Sequence, residues 1–376
     1  MNPTCPRTGI DANPRTSAVV VVPPLVKASP SHREQLSDEI LAVGTLDPPS
    51  TTESNMGSAA ETNKDKAATI VSAIASQSAA LEEPLEVPGG TPFGQVCDAA
   101  AAVEMGATKI QMIFADGADV PEDAAGSALE TFHMNVITFI AYCQSAMGTQ
   151  GKTFDAGLRD AAKVLCKSAG RLVATATESA EPSGSLRAVL GECWEAVKDI
   201  KKLPKDGRVA ISKALMRVAT FIKDTSTELS ELGEGAQDEG GNPEDPDEDD
   251  LRFHDEDFTA EEMRVARACA EFASASFEFV RKIVAPIVRG SASDVDALER
   301  ALDSSKKFQV RLEDVGAGVY PPQDGGALIE DASKAMEEGR TMGKEIAEAG
   351  GVEGAEEAVA ELEGAFNKLR DSLGEK

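Results

Sequence analysis

The segment Ala146-Met147-Gly148-Thr149-Gln150-Gly151-Lys152-Thr153 has residue types that could hold a phosphate. It is a relaxed phosphate-loop pattern, with Ala where the first glycine would stand. In such a loop the glycines free backbone N–H groups to cradle phosphates. Lys152 would meet the β- and γ-phosphates, and the Thr153 hydroxyl would reach magnesium. The chemistry would be that of a nucleotide-dependent enzyme. That chemistry needs a strand before the loop and a parallel sheet around it. Val136–Ala141 is β-branched enough to pass for a strand, but its apolar spacing in threes and fours extends back to Leu129. No alternation of strands and helices follows. The apolar run Met112-Ile113-Phe114-Ala115-Asp116, which ends in an acid, lies upstream and is itself helical in pattern. The residues favour a helix-to-helix turn, and the nucleotide reading stands as an alternative.

Other chemistry is sparse. His32, His133 and His254 are isolated, with no His at i+4 and no Cys at zinc spacing, so no metal site is expected. Asp255-Glu256-Asp257 adjoins His254 but belongs to an acidic run. There is no GxSxG and no local signature for a Cys–His pair. Carboxylates are so frequent that finding two together discriminates nothing. Catalytic residues, cofactors and metals are therefore all expected to be absent. Cys5, Cys97, Cys143, Cys166, Cys193 and Cys269 form no CxxC pair and fall mostly within apolar helical patterns. They read as reduced, buried thiols of an intracellular protein. Trp194, the single Trp, sits near Leu190, Cys193 and Val197 on an apolar face, which predicts core packing.

Charge points to partners rather than substrates. The 376 residues carry a net charge of −28, which disfavours direct nucleic-acid or membrane contact and favours basic protein surfaces. The charge concentrates in residues 233–258, around Glu244-Asp245-Pro246-Asp247-Glu248-Asp249-Asp250. Like charges at this density repel, and the Pro and Gly residues oppose a helix, so a mobile acidic loop is expected. It lacks the spacing of a calcium-binding EF-hand. It reads either as a solubilising linker or as an electrostatic docking strip. Asp247, Glu248, Asp249 and Asp250 are the partner-binding candidates there. Tyr320, in Gly318-Val319-Tyr320-Pro321-Pro322 at a helix end, caps a bundle or helps line a peptide groove.

The elements that would position these residues are helices. Hydrophobic residues make up 41% of the chain and aromatic ones 4%, a balance that suits closely packed, Ala-rich helices. Residues 1–56 read as a disordered tail, its basic residues leaving a transit peptide open. Ala67, Ile70, Ile74 and Leu81 mark a first helix, and a second spans about Phe93 to Ala115. Pro121 stands just inside the start of a third, with Leu129, Phe132, Val136, Phe139 or Ile140, Cys143 and Met147 on one face. Phe154, Leu158, Ala162, Leu165, Ala169 and Leu172 mark the next. After the Leu203-Pro204-Lys205-Asp206-Gly207 turn, Ile211, Leu215, Val218, Ile222, Thr225, Leu229 and Leu232 repeat at four and three. So do Val295 to Val319 and Val352 to Leu373. These stripes are bundle seams or open zippers. The fold class is all-α, as antiparallel helical bundles, with an N-terminal bundle over 57–182 and a C-terminal one over 183–376. The helix after Pro204 is a candidate contact surface.

The ordered series of features resembles the cyclin-D1-binding protein 1 family, also described as Id-like helix-loop-helix proteins. The carriers are Cys193-Trp194 through Leu203-Pro204-Lys205-Asp206, Phe221-Ile222-Lys223-Asp224, the acidic insert, and Leu312-Glu313-Asp314-Val315 leading to Tyr320-Pro321-Pro322. Phe139-Ile140-Ala141-Tyr142 and the Leu158–Leu172 helix are also similar. The resemblance spans roughly Ala67 to Ile346. It implies talin-like bundles, no enzymatic activity, and binding of cyclin D and helix-loop-helix factors in nucleus and cytoplasm, as a negative regulator of the cell cycle or transcription. The chain has no Lys/Arg-dense segment preceding a helix-loop-helix, which fits a protein that sequesters a DNA-binding partner without binding DNA. A talin- or vinculin-like cytoskeletal adaptor is the alternative that shares the fold.

Overall fold

A computed structural model describes residues 56–82, 90–115, 121–178, 182–234, 258–290, 293–350 and 354–374. The N-terminal tail, Cys5, His32, His254 and the acidic residues 235–257 lie outside them. Ten α-helices are present among the described residues. They are α1 (Met56–Ala79), α2 (Phe93–Phe114), α3 (Glu122–Ala146), α4 (Lys152–Glu178), α5 (Pro182–Lys202), α6 (Gly207–Glu234), α7 (Ala260–Arg289), α8 (Val295–Gly318), α9 (Gly325–Glu348) and α10 (Ala355–Ser372). The chain is all-α in these regions, as its apolar periodicity predicts. None of these helices is long and apolar enough to cross a membrane.

Helix boundaries follow capping chemistry. Thr259 starts α7 with a capping box: its Oγ1 accepts from Glu262 N at 3.2 Å, and Glu262 Oε2 accepts from Thr259 N at 2.8 Å. Those bonds to Thr259 hold the Glu262 carboxyl below its ordinary range. Asp206, Asp294 and Asp324 likewise accept from the first-turn N–H groups of α6, α8 and α9. Pro121 is the N-cap of α3 rather than a residue inside it, because its extended backbone turns the chain into the helix at Glu122.

The helices close into two rings of five. In the first, α1 lies against α3 and α4, α2 against α3 and α5, and α4 against α5. In the second, α6 lies against α7 and α8, α9 against α8 and α10, and α10 against α7. Each ring surrounds its own apolar core. The first core takes Ile70, Ile74 and Leu81 with Leu129, Phe132, Val136, both Phe139 and Ile140, and Leu158, Leu165 and Leu172. It also takes Leu186, Leu190, Cys193, Val197 and Ile200 of α5. The first core therefore runs past the expected boundary between 182 and 183, through α5 to Ala210 in the first turn of α6, and the second core begins at Ile211. The apolar face of α5 matches α2 and α4, which explains why Glu181-Pro182-Ser183-Gly184 does not separate the bundles.

The second core holds Leu215, Ile222, Leu302, Leu312 and Leu362 around Phe279 and Phe308, whose rings meet edge to face at 5.9 Å. The stripes on α6, α8 and α10 are thus seams of an intramolecular bundle rather than open zippers. The α10 stripe is the loosest. Val352 lies outside the described residues, Leu362 and Leu369 are buried, and Val359 and Phe366 are half-buried.

Candidate interaction site

The turn between α3 and α4 is where nucleotide chemistry would sit, and helices flank it on both sides. The strand that a phosphate loop requires is replaced by α3, whose Phe139, Ile140 and Cys143 belong to the first core. The α4 N-terminus nevertheless receives an anion, supplied by the second ring. Thr153 N and Thr153 Oγ1 donate to Glu299 Oε1 and Oε2, each at 2.7 Å. Glu299 is 5% exposed. Its carboxylate takes the place that a phosphate would take at a helix N-terminus, favoured by the same orphan N–H groups and dipole. Lys152, the would-be phosphate lysine, pairs with Asp303 of α8.

The glycines of the turn serve this junction. Gly151 has φ +93°, and a Cβ there would stand 2.8 Å from Glu299 Oε1. Gly207, at the start of α6, lies so close to the turn that a Cβ would meet the Gln150 carbonyl oxygen at 1.5 Å. The pattern of glycine, lysine and threonine that suggested a nucleotide is therefore a docking seam between α4, α6 and α8. Asp155 Oδ2 closes the turn by accepting from Gly148 N at 2.9 Å, and burial pushes its carboxyl above the ordinary range.

Tyr320 joins two helices. Its hydroxyl donates to Glu228 Oε1 at 3.0 Å, tying the end of α8 to the distal part of α6. The pair borders a recess of about 410 Å³ with Thr225, Leu229, Glu313 and Gly316. Burial, then the Glu228 carboxylate, raises the Tyr320 phenol above its ordinary range. Asp247, Glu248, Asp249 and Asp250 lie outside the described residues, so of the expected partner-binding residues Tyr320 is the one whose surroundings are described.

Trp194 departs from expectation. It is 45% exposed, and its Nε1 donates to Thr108 Oγ1 of α2 at 3.3 Å. Leu190, Cys193 and Val197 occupy the core face of α5, and Trp194 falls one residue past Cys193 onto the shoulder. Cys143, Cys166, Cys193 and Cys269 are buried, whereas Cys97 is half-buried. Burial pushes the Cys166 and Cys269 thiols up to about 12 and Cys193 to about 11. Burial also shifts the His133 imidazole, downward from its ordinary range.

An open apolar surface lies between α6 and α7. These helices pack antiparallel, with Arg208 at the start of α6 beside Gly290 at the end of α7, and Met216, Lys223, Phe277, Arg281, Val284 and Val288 line one groove between them. Met216 is 52% and Val288 44% exposed. Ala219, Phe277, Val284 and Ala285 line a groove of about 390 Å³. The small residues at 219 and 285 leave the helices without bulk between them, and this opens the groove. Its rim is basic: Lys223, Arg281 and Arg289. Arg281 pairs with Glu278, whereas Lys223 and Arg289 have no ion pair among the described residues. The surrounding sequence extends this polarity. From Lys201 to Lys223 there are seven basic residues and one acid, Asp206, and from Phe279 to Arg289 three basic residues and no acid. Whole-chain charge conceals this patch, and a windowed charge count would reveal it.

Two family models match this chain. One, described as Grap2 and cyclin-D-interacting, N-terminal, covers residues 95–235. The other, Grap2 and cyclin-D-interacting, C-terminal, covers residues 243–341. The first thus spans α2 to α6 and the second α7 to most of α9. A curated relative, the Cyclin-D1-binding protein 1 homolog of Xenopus laevis, is 21% identical over 240 residues, 62% of this chain and 72% of the relative. With the two models together covering more than half of its length, the chain belongs to the Grap2 and cyclin-D-interacting family.

Proposed function

We propose that this protein is a non-enzymatic interaction protein that binds D-type cyclins or helix-loop-helix factors and restrains cell-cycle progression or transcription, in nucleus and cytoplasm. Family membership supports an interaction protein, and the printed name of the Xenopus relative supports the cyclin. The observation that carries the reading is the open α6–α7 face. Two closed rings bury the other long apolar seams, and this face keeps Met216 and Val288 in solvent. Exposed Met beside arginine is a composition that interfaces favour. It also lies on the helix after Pro204, the contact surface expected from sequence. The acidic residues Asp247, Glu248, Asp249 and Asp250 and the Tyr320–Glu228 recess are proposed as secondary contacts, the former toward basic partner surfaces.

The test is direct binding of the purified full chain to a recombinant D-type cyclin and to a helix-loop-helix protein, by interferometry at low and moderate salt. Saturable binding to either supports the reading. Binding to neither, with co-sedimentation on actin filaments, would move the protein to the cytoskeletal-adaptor reading, which the all-helical build equally suits.

A further inference from the structure

We propose that the α6–α7 groove receives one face of an acidic amphipathic helix from a partner protein. This inference rests on the interaction-protein reading and names the surface and the chemistry it recognises.

Three observations carry it. The floor is apolar and open: Met216 and Ala219 of α6 face Phe277, Val284 and Val288 of α7. The lining residues repeat at helical spacing, as 216, 219, 220 and 223 on one wall and 277, 281, 284, 285, 288 and 289 on the other. Two antiparallel helices with such rows offer ridges and a valley that a third helix fills, using residues at i, i+4 and i+7 or i+8. At a rise of about 1.5 Å per residue the α7 wall runs about 18 Å, the length of roughly three helical turns.

The rim selects for charge. Lys223 and Arg289 project at opposite ends of the groove without an ion-pair partner among the described residues, and Arg281 lies between them. Lys213 and Arg217 on α6 are also unpaired among the described residues. In a chain of net charge −28, a basic rim around an exposed apolar floor is a local reversal. Desolvated beneath a partner, these cations need carboxylates, and a helix with Glu or Asp flanking its apolar stripe supplies them. A basic helix would bring like charges together and be rejected.

The experiment uses the full chain and a fluorescein-labelled designed helix of about 18 residues, with Leu along one face and Glu on both flanks. Fluorescence anisotropy compares it with two controls: the same helix with Lys for Glu, and a scrambled peptide of identical composition. Two protein variants, Lys223→Glu with Arg289→Glu and Met216→Gln with Val288→Gln, change exposed side chains only. Their folding is checked by circular dichroism.

The expected result is binding of the Glu helix alone. Each double variant should weaken it by about tenfold or more, with rising salt weakening only the contribution of the charges. Equal binding of the scrambled peptide would reduce the groove to a non-specific cation patch and overturn the proposal. So would binding that neither variant affects, or no binding at all. Tighter capture of duplex DNA, lost in Lys223→Glu with Arg289→Glu, would assign the patch to nucleic acid. Displacement of the probe by a peptide of residues 241–257 as effectively as by unlabelled probe would assign the groove to this chain's own acidic insert. Self-association abolished by Met216→Gln with Val288→Gln would assign it to a second copy.

The same variants tested against a D-type cyclin separate the two claims. Cyclin binding unaffected by both variants keeps the function and discards the groove as its site. Binding of the Glu helix without cyclin binding keeps the groove and discards the named partner.

Discussion

Trp194 shows how one position along a helix decides a residue's environment. Cys193 points into the first core, and the next residue is turned by about 100°, from the 3.6-residue period, onto the shoulder of α5. Its indole is held by Thr108 rather than by core atoms. Emission from this single Trp should therefore be red-shifted and readily quenched by acrylamide. Trp194→Ala should cost less than about 1 kcal/mol, well below the roughly 3–5 kcal/mol of a fully buried Trp. A blue-shifted, quencher-resistant emission would contradict the placement. The thiols give a second prediction at this scale. Cys97 is half-buried, and the four buried cysteines are held in the thiol form. In native protein near neutral pH, Cys97 should be alkylated first among these five, and the others only on unfolding. Mass spectrometry of a timed iodoacetamide reaction reads this directly.

At the scale of elements, the α4 N-terminus is satisfied by a side chain from another ring. Glu299 accepts both the backbone N–H and the hydroxyl of Thr153. Hydrogen bonds to a charged acceptor contribute about 1.5–3 kcal/mol. Glu299→Ala removes both bonds and leaves an orphan donor in a tight seam, so urea unfolding should show a loss of about 2–3 kcal/mol. Thr153→Ala keeps the backbone bond and should lose about 1 kcal/mol. Lys152→Ala breaks an exposed pair with Asp303 and should lose less than about 1 kcal/mol. The ordering of these three losses is the test. A larger loss at Lys152 than at Glu299 would mean that the charge pair, not the helix N-terminus, joins the elements. The Tyr320–Glu228 bond is a similar tie between α6 and α8.

For the whole molecule, buried thiols make stability depend on alkaline pH. Burial raises Cys166 and Cys269 to about 12 and Cys193 to about 11, against an ordinary thiol value of 9.0. A raised folded value contributes stability that is fully present below the unfolded pKa and is lost as pH climbs toward the folded one. Between about pH 9 and 11 each such thiol should therefore remove about 1.4 kcal/mol per pH unit. Cys269→Ala should flatten the slope by that amount, and an unchanged slope would show that the thiol titrates alike in both states. Urea midpoints measured across this window provide the check.

The all-α fold and most of both cores were legible from sequence. The stripes Leu129–Met147, Phe154–Leu172 and Ile211–Leu229 are buried largely as their spacing requires, because a 3.6-residue period allows one buried face. Three things were decided by tertiary packing. The first is that α5 joins the first core, since a one-faced helix fits either neighbour until the rings close. The second is that Gly148–Thr153 meets Glu299, a contact across 146 residues that no local pattern encodes. The third is that Met216, Val288, Lys223 and Arg289 gather in one groove. Spacing tells which residues share a face of one helix. Only the antiparallel approach of α6 and α7 brings two such faces together, and the small residues between them leave that surface open.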